Sequence, residues 1–283
     1  MTDGITALNS LELDPTPDIR LIACDMDGTL LDDEDAIHED FWPLIEELHG
    51  RGVTFCPASG RQYYNLLQRF EPIADDLIFI AENGSFVVHK GEEISSDCLA
   101  RDVARELTRA ARALSASGAD IGVVLCGKRS AYIERSDPAF FAEVDKYYQR
   151  LEVVDDLQAV EDEILKFAVF AFDSSERVSA PAFARFRATH QVVVSGQHWL
   201  DVMAPSVNKG AGIRHIQQSL GITPEQTMVF GDFLNDLEMM DQARYSFAMA
   251  NAHPQLKARA NFLAPGNTDN GVVRTIKAVL GIA

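Results

Sequence analysis

Two aspartates one residue apart, Asp25 and Asp27, stand at the end of an apolar run and directly before Gly28. Alternate residues of an extended chain face the same way, so their carboxylates would lie close together. Two like charges at that distance cost free energy unless a cation or a proton lies between them. The spacing predicts a metal-assisted site at the carboxyl end of a strand, with the glycine forming the turn. A solvated Asp-Gly turn is the alternative.

A calcium-binding loop is excluded for this segment. Counted from Asp25, the glycine position of such a loop holds Leu30 and its glutamate position holds Ala36.

A second group of oxygen-bearing side chains follows the apolar segment 227–230. Asp232 comes at the expected end of that strand, and Asn235 and Asp236 lie one helical turn later on the same side. Three such groups suit Mg²⁺, a hard cation that prefers oxygen ligands. Helix capping by Asp232, with acidic residues favoured by the helix dipole, is the alternative. It explains one carboxylate better than it explains the whole group.

Two smaller signals could contribute to a phosphate site. Ser59 and Gly60 follow the apolar segment 53–56 and would offer a hydroxyl and backbone N–H groups at a helix start. Considered by itself, Ser59 is better explained as an ordinary N-cap residue. Lys209 precedes a predicted helix, and by itself it is best explained by a solvated surface position.

The elements that would position these residues alternate between strands and helices. Such alternation is typical of a parallel sheet with helices on its faces, which binds ligands at the carboxyl ends of its strands. The first predicted elements are strands at 20–24, 53–56 and 77–81, with helices at 40–50 and after residue 60. The same pattern resumes from Lys209 onward.

The middle of the chain has a different pattern. Its predicted strands can pair as hairpins, so this block is expected to form a separate α+β module. The predicted elements are strands at 86–88, 121–125, 131–134, 165–172, 192–194 and 199–203, with helices near 99–116, 138–150 and 181–188.

Composition limits the class of protein. The chain has 283 residues, of which 47% are hydrophobic, and a formal net charge of −18. These values predict a globular protein whose acidity disfavours nucleic acid or an anionic membrane as a partner. No apolar run is long enough for a membrane span. The four cysteines form no C-x-x-C pair, which favours a cytoplasmic location. Residues 1–18 are polar and are predicted to form a flexible N-terminal extension.

Together these segments resemble the haloacid dehalogenase-like superfamily, whose four motifs occur here in the same order. They are Asp25-Met26-Asp27-Gly28-Thr29, Ser59 in Ala-Ser-Gly-Arg, Lys209, and Gly231-Asp232 with Asn235-Asp236. The insertion between the second and third motifs resembles the type IIB cap of the Cof-like phosphatases. The resemblance implies an α/β fold with a Rossmann-like parallel core, helices on both faces and an inserted α+β cap domain. It implies a core at 19–85 and 200–283 and a cap at 86–199.

The resemblance further implies phosphoryl transfer through an aspartyl-phosphate. Asp25 would attack phosphorus, and Asp27 would protonate the leaving alcohol and later deprotonate the attacking water. Mg²⁺ would be held by the Asp25 carboxylate, the Asp27 backbone carbonyl and Asp232. Asp236 and Asn235 would support the metal site by holding its ligands in place.

Ser59, Gly60, Lys209 and Asn235 would bind the phosphoryl oxygens, with Lys209 and the metal offsetting the negative charge. The implied activity is that of a Mg²⁺-dependent phosphatase acting on a small phosphorylated metabolite. Sugar phosphates are the first candidates in this subgroup, and phosphorylated cofactors such as pyridoxal phosphate or flavin mononucleotide are alternatives. The sequence gives no indication of the oligomeric state.

Other functions stay open at this point. The aspartate at position 27 favours a phosphatase or a hexose phosphate mutase over a dehalogenase or an ion-pumping ATPase. A non-catalytic phospholigand-binding or regulatory protein is the alternative from another class. Within the cap, Lys128, Arg129 and His198 could face the substrate, although ordinary surface positions explain each of them better.

Overall fold

The structure, a computed structural model, describes residues 6–7 and 17–283 of the chain. Its strands are β1 (Thr6–Ala7), β2 (Leu21–Cys24), β3 (Thr54–Pro57), β4 (Ile78–Ala81), β5 (Phe86–His89), β6 (Glu92–Ser96), β7 (Ile121–Gly127), β8 (Ala131–Ile133), β9 (Leu151–Val153), β10 (Ile164–Ala171), β11 (Gln191–Val194), β12 (Trp199–Met203), β13 (Thr227–Gly231), β14 (Tyr245–Met249) and β15 (Phe262–Ala264). Its α-helices are α1 (Phe41–Gly50), α2 (Tyr63–Arg69), α3 (Arg101–Ala116), α4 (Pro138–Val144), α5 (Ala180–Phe183), α6 (Lys209–Leu220), α7 (Leu237–Met240), α8 (Pro254–Arg259) and α9 (Gly271–Leu280).

The first sheet has the strand order β1-β15-β14-β13-β2-β3, and its neighbouring strands all run parallel. A further parallel bridge between Ala58 and Ile80 places β4 beside the end of β3. All four residues of β2 are buried, as expected for a parallel strand that is covered on both faces. Because β13, β2 and β3 are neighbours, the residues that follow them meet at one edge of the sheet.

Amphipathic helices cover this sheet and complete its core. In α1 the buried residues Phe41, Leu44, Ile45 and Leu48 recur at i, i+3, i+4 and i+7, which is the spacing of one helix face. The Phe41 ring packs edge-on against Phe55 of β3, with ring centroids 5.2 Å apart. These contacts belong to a single apolar core that also contains the buried faces of α6 and α9. The core fixes the positions of the strand ends.

The second sheet has the order β11-β12-β10-β7-β8-β9 and is antiparallel except for the parallel pair β8 and β9. Side chains on successive strand residues alternate between its two faces. One face packs under α3 and α5, with Phe167 and Val169 of β10 in that apolar cluster. The opposite face carries Lys166 and Phe170 of the same strand, which line a cavity shared with the first sheet.

A third, antiparallel sheet has the order β4-β5-β6 and joins the two units. Val87 and Val88 of β5 belong to the core of the parallel sheet, whereas β12 pairs with β10 in the second sheet. The expected cap limits of 86 and 199 stay a prediction, whereas these contacts favour limits after β6 and after β12. We therefore propose that the inserted unit begins after β6 and ends after β12, because strand pairing defines the sheet to which a segment belongs.

The α/β class with a parallel sheet and additional antiparallel strands is confirmed. Two expectations from the sequence differ in detail. The helix expected at 138–150 ends at Val144, and within the expected extension 1–18 residues 6–7 form the edge strand β1. Residues 1–5 and 8–16 of that extension lie outside the described residues. In the part of the chain that the structure describes, every helix is too short or too polar to span a lipid bilayer.

Candidate active site

The turn after β2 brings Asp25 and Asp232 together. The Asp25 backbone N–H donates to the Phe230 carbonyl at 3.0 Å, which extends the pairing of β2 with β13 by one residue. Gly28 then adopts φ +74°, and a Cβ atom at this position would lie 2.5 Å from Asp232 Oδ2. The hydroxyl of Thr29 donates to Asp232 Oδ1 at 3.2 Å. Glycine is therefore required here both by its backbone angle and by the close approach of a carboxylate.

Lys209 lies between two carboxylates at the centre of the site. Its Nζ is 2.5 Å from Asp25 Oδ1 and 2.6 Å from Asp236 Oδ1, and its side chain is fully buried. The Asn208 side chain caps α6 by accepting from the Ala211 N–H at 2.7 Å, so the lysine occupies the first helical position. The solvated surface position expected for Lys209 alone is therefore wrong. Burial lowers its pKa, but Asp236 and Asp25 outweigh burial, so the pKa is raised and the ammonium stays charged.

The carboxylates fit a divalent cation. Oxygens of Asp25, Asp232 and Asp236 all lie within 4.8 Å of one another. Burial, and then the charge of Asp236, raises the pKa of Asp25, and burial followed by the charge of Asp25 raises that of Asp232. Without a further cation, ionisation of these buried groups is thus unfavourable. A hard cation such as Mg²⁺ would supply the missing positive charge, and carboxylate oxygens are its preferred protein ligands.

The oxygens of Asp236 are already engaged by the protein. Oδ1 accepts from Lys209, and Oδ2 accepts from the backbone N–H groups of Asp232 at 3.0 Å and Phe233 at 3.2 Å. Asp236 therefore fixes the loop that carries Asp232. This arrangement favours a supporting position for Asp236 and direct metal contacts for Asp25 and Asp232.

The Ser59–Gly60 segment lies at the end of β3, beside the same edge. Ser59 is buried, and its Oγ accepts from the Arg61 N–H at 3.1 Å. It is not the N-cap of α2, because that position belongs to Gln62. Asn235 donates from Nδ2 to Asn83 Oδ1 at 3.0 Å. One cavity is lined by Ser59, Gly60 and Asn235 together with Asp25.

Asp27 pairs with an arginine that sequence reasoning did not single out. Arg61 Nε lies 2.9 Å from Asp27 Oδ2, and Nη2 lies 2.5 Å from Oδ1, which makes the contact bidentate. Arg61 also donates to Asp35 Oδ1 at 2.6 Å and stacks on Tyr147, with its Cζ 5.0 Å from the ring centroid. Burial, followed by the charge of Asp27, raises the Tyr147 pKa to about 12, so the phenol stays neutral. The position of Arg61 directly after Ser59-Gly60 was the available signal.

A cavity of about 400 Å³ opens above these residues, between the parallel sheet and the second sheet. Its floor includes Asp25, Asp27 and Asp232, and its roof carries the aromatic side chains of Tyr147 and Trp199. The remaining lining includes Tyr148, Phe170, Lys166, Asp201, Gln197 and His198. Aromatic side chains combined with a few placed polar groups are typical of a small-molecule site.

The three cap residues that the sequence offered occupy different places. His198 lines the cavity, and its Nδ1 is 2.9 Å from the Ala171 carbonyl oxygen. Lys128 pairs with Glu93 at 2.9 Å, and Arg129 lies 3.3 Å from Asp162. Neither Lys128 nor Arg129 lines this cavity. Arg129 is an exposed surface residue, whereas Lys128 is partly buried beside Glu93.

Two other cavity residues carried only a weak sequence signal. Lys166 and Asp201 are nearly fully buried polar residues on β10 and β12, and both line the cavity. Polar residues within apolar strands were the only available hint.

Asn251 donates to the Gly28 carbonyl at 2.8 Å and supports the first turn. Its segment, 248–252, resembles the Cof-like subgroup, although the sequence assigned it no role.

Comparison with known proteins agrees with this geometry. Residues 22–276 match the family described as haloacid dehalogenase-like hydrolase. The chain is 37% identical to the 5-amino-6-(5-phospho-D-ribitylamino)uracil phosphatase YbjI of Escherichia coli (strain K12), over 93% of this chain and 96% of that protein. It is 30% identical to the HMP-PP phosphatase of Cronobacter sakazakii, over 84% of this chain and 87% of that protein.

Solved structures show the same fold. A crystal structure of a Streptococcus mutans protein matches with a TM-score of 0.84 at 24% identity, covering 93% of this chain and 99% of that one. A HAD subclass IIB sugar phosphatase matches with a TM-score of 0.78 at 22% identity, covering 93% of this chain and 100% of that one. The chain therefore belongs to the haloacid dehalogenase-like superfamily as a Cof-like hydrolase, and it is an enzyme of the phosphoric monoester hydrolase class.

Proposed function

We propose that this chain is a Mg²⁺-dependent phosphatase that hydrolyses small phosphorylated metabolites through an aspartyl-phosphate on Asp25. One observation carries the proposal. The Asp25 carboxylate stands at the cavity floor, hydrogen-bonded to the buried Lys209 and within reach of the Asp232 oxygens. A nucleophilic carboxylate, a fixed ammonium and a second metal-binding carboxylate are the groups that phosphoryl transfer requires.

The residues that would hold Mg²⁺ are Asp25, Asp232 and the backbone carbonyl of Asp27, with Asp236 supporting Asp232. When bound, the cation would neutralise phosphate charge and orient the transferring group. A chain of net charge −18 repels an anionic substrate. The cation and Lys209 would supply the local positive charge that offsets this repulsion.

The chain's own residues carry the chemical steps. An Asp25 carboxylate oxygen attacks phosphorus, the phosphorus–oxygen bond to the leaving group breaks, and a proton from Asp27 passes to the leaving oxygen. A water molecule then attacks the aspartyl-phosphate, Asp27 takes a proton from that water, and free phosphate leaves Asp25. Ser59, Gly60 and Lys209 would hold the phosphoryl oxygens during both steps. Asn235 would assist them from the neighbouring turn.

The substrate class is proposed from the cavity and the relatives. A cavity of about 400 Å³ suits a small metabolite. The relatives include a phosphatase named for a phosphoribitylamino uracil and a structure titled as a sugar phosphatase. We therefore propose phosphate esters of sugars or sugar alcohols as substrates. The aromatic side chains of Tyr147 and Trp199 also leave room for a planar ring on the leaving group.

The test is a phosphate-release screen over a panel of sugar phosphates, sugar alcohol phosphates and phosphorylated cofactors, with and without Mg²⁺. We expect release that requires Mg²⁺ and is lost in Asp25→Asn. A sugar phosphate that is isomerised without phosphate release would instead favour a phosphomutase. Tight binding of a phosphorylated ligand with no turnover would favour a non-catalytic protein. A cytoplasmic location stays a prediction from the sequence.

A further inference from the structure

We propose that Asp201 is a specificity-determining residue that accepts a hydrogen bond from a hydroxyl group of the substrate's leaving group. The inference rests on the proposed phosphatase function and deepens it. Asp201 lies on β12, in the second sheet, and shares a face of that strand with Trp199. Both residues line the cavity, although the aspartate side chain is only 3% exposed.

One oxygen of this carboxylate is engaged by the protein and the other is not. Oδ2 accepts from Asn83 Nδ2 at 2.6 Å and lies 3.7 Å from Lys166 Nζ. Among residues 17–283, Oδ1 accepts no hydrogen bond, and it is not one of the buried polar atoms that lack a partner, so it is accessible from the cavity. This oxygen is therefore a free acceptor that faces the cavity and is open to solvent until a ligand binds. A ligand hydroxyl in the cavity could replace solvent there and donate to it.

Lys166 and Asn83 fix Asp201 next to the phosphate-binding segment. Lys166 Nζ lies 2.5 Å from the Gly60 carbonyl oxygen and 2.7 Å from Glu82 Oε2. The Asn83 amide bridges Asp201 to Asn235, with its Oδ1 accepting at 3.0 Å. Gly60 and Asn235 are expected to lie beside the phosphate. Each is linked to Asp201 through one side chain, that of Lys166 for Gly60 and that of Asn83 for Asn235. The group that Asp201 meets should therefore lie near the ester oxygen.

The charges around Asp201 select the chemistry of its partner. Burial lowers the pKa of Lys166, but Asp201 and Glu82 outweigh burial and raise it, so the ammonium stays charged. This fixed cation disfavours a second ammonium from a ligand, and the carboxylate disfavours a second phosphate or carboxylate. A neutral hydroxyl can donate to the carboxylate without either cost. The site should therefore prefer polyol and sugar phosphates over alkyl phosphates of equal length.

The test compares three substrates in the full-length enzyme with Mg²⁺: D-ribitol 5-phosphate, pentyl phosphate and p-nitrophenyl phosphate. Wild type should prefer ribitol 5-phosphate to pentyl phosphate in kcat/KM. Asp201→Asn should reduce this preference by about tenfold or more, chiefly through KM, because a charge-assisted hydrogen bond is lost. Asp201→Glu keeps the charged acceptor and should retain more of the preference than the asparagine variant does.

Asp162→Asn is the matched control. Asp162 is another cap carboxylate with a 3% exposed side chain, which accepts from the Tyr132 hydroxyl at 2.9 Å and lies outside this cavity. We expect it to leave the substrate preference unchanged. If Asp201→Asn does not fold, the glutamate variant decides: a KM change confined to ribitol 5-phosphate supports the proposal, and equal changes for all three substrates overturn it.

The possible results distinguish a failure of this inference from a failure of the proposed phosphatase function. Suppose that the wild type hydrolyses p-nitrophenyl phosphate and that Asp201→Asn lowers kcat/KM equally for all three substrates. Asp201 is then a structural residue, and this inference fails while the proposed function stands. A wild type with no preference for ribitol 5-phosphate over pentyl phosphate has the same consequence. If the wild type hydrolyses none of the three substrates, the proposed function fails, and the inference fails with it.

Discussion

The Arg61 guanidinium holds both carboxylate oxygens of Asp27, with Nε 2.9 Å from Oδ2 and Nη2 2.5 Å from Oδ1. Arg61 is itself 3% exposed and is anchored by Asp35. The pair joins the residue proposed for proton transfer to the segment proposed for phosphate binding. Because both oxygens accept from Arg61, this contact must loosen when Asp27 carries its proton to the leaving group.

Arg61→Lys should keep the positive charge but lose the bidentate contact. Asp27 would then be poorly oriented, and this matters most for leaving groups that need a proton. We expect kcat for a sugar phosphate to fall by about tenfold, and kcat for p-nitrophenyl phosphate to fall less. Steady-state kinetics with both substrates measure the difference. Equal losses for the two substrates would show that Arg61 only maintains the fold.

Asp27→Asn should remove the proton donor while preserving the backbone carbonyl proposed to contact Mg²⁺. Turnover of sugar phosphates should fall by about a hundredfold to ten-thousandfold, the range typical of general acid–base assistance. Mg²⁺ affinity, measured by isothermal titration calorimetry, should stay close to the wild-type value. Normal turnover of a poor leaving group in this variant would refute the acid–base role.

Gly28→Ala and Gly52→Ala form a matched pair. Gly28 has φ +74° and Gly52 has φ +71°, so alanine should cost about 1 kcal/mol of stability at either position. A Cβ atom at Gly28 would also lie 2.5 Å from Asp232 Oδ2, whereas a Cβ atom at Gly52 would meet nothing within 4 Å. We expect only Gly28→Ala to weaken Mg²⁺-dependent activity. Thermal unfolding and Mg²⁺ titration of both variants test this, and equal activity in the two would contradict it.

Stabilisation by Mg²⁺ should increase with pH. Burial and neighbouring carboxylates raise the pKa values of Asp25 and Asp232 above their unfolded values. The metal-free folded state therefore binds more protons than the unfolded state, and it loses stability as pH rises through the raised pKa values. Mg²⁺ replaces those protons, so the increase in Tm that it causes should be larger at about pH 8 than at about pH 6.

Differential scanning fluorimetry with and without Mg²⁺ measures this effect, and Asp232→Asn is the control in which the increase should largely disappear. An increase in Tm that is independent of pH, or larger at the lower pH, would argue against Mg²⁺ binding at these carboxylates.

The strand-end residues could be placed from the sequence because their signals are local. Asp25 and Asp232 each follow a short apolar segment, and parallel topology brings the ends of neighbouring strands together. Lys209 was different. Considered alone it was best explained as a surface residue, and only the joint resemblance of four motifs indicated the central position that it occupies.

The cap could not be predicted at the same depth. Whether Lys166 and Asp201 face the cavity depends on the pairing of β10 with β12, and pairing between distant segments is not encoded in local periodicity. The cap boundary at 86 stays a prediction for the same reason. The alternating pattern of β5 identifies a strand, but it does not say that this strand pairs with β4 of the core.

The most direct test of the central claim is to detect the phosphoryl group on Asp25. In Asp27→Asn, p-nitrophenyl phosphate should still transfer its phosphoryl group because this leaving group needs no proton. Breakdown of the aspartyl-phosphate should be slow because the base is missing.

Acid quenching followed by peptide mass spectrometry should then show one phosphoryl group on Asp25. The double variant Asp25→Asn, Asp27→Asn should show none. Release of p-nitrophenol without any label on Asp25, or with the label on another residue, would contradict the account.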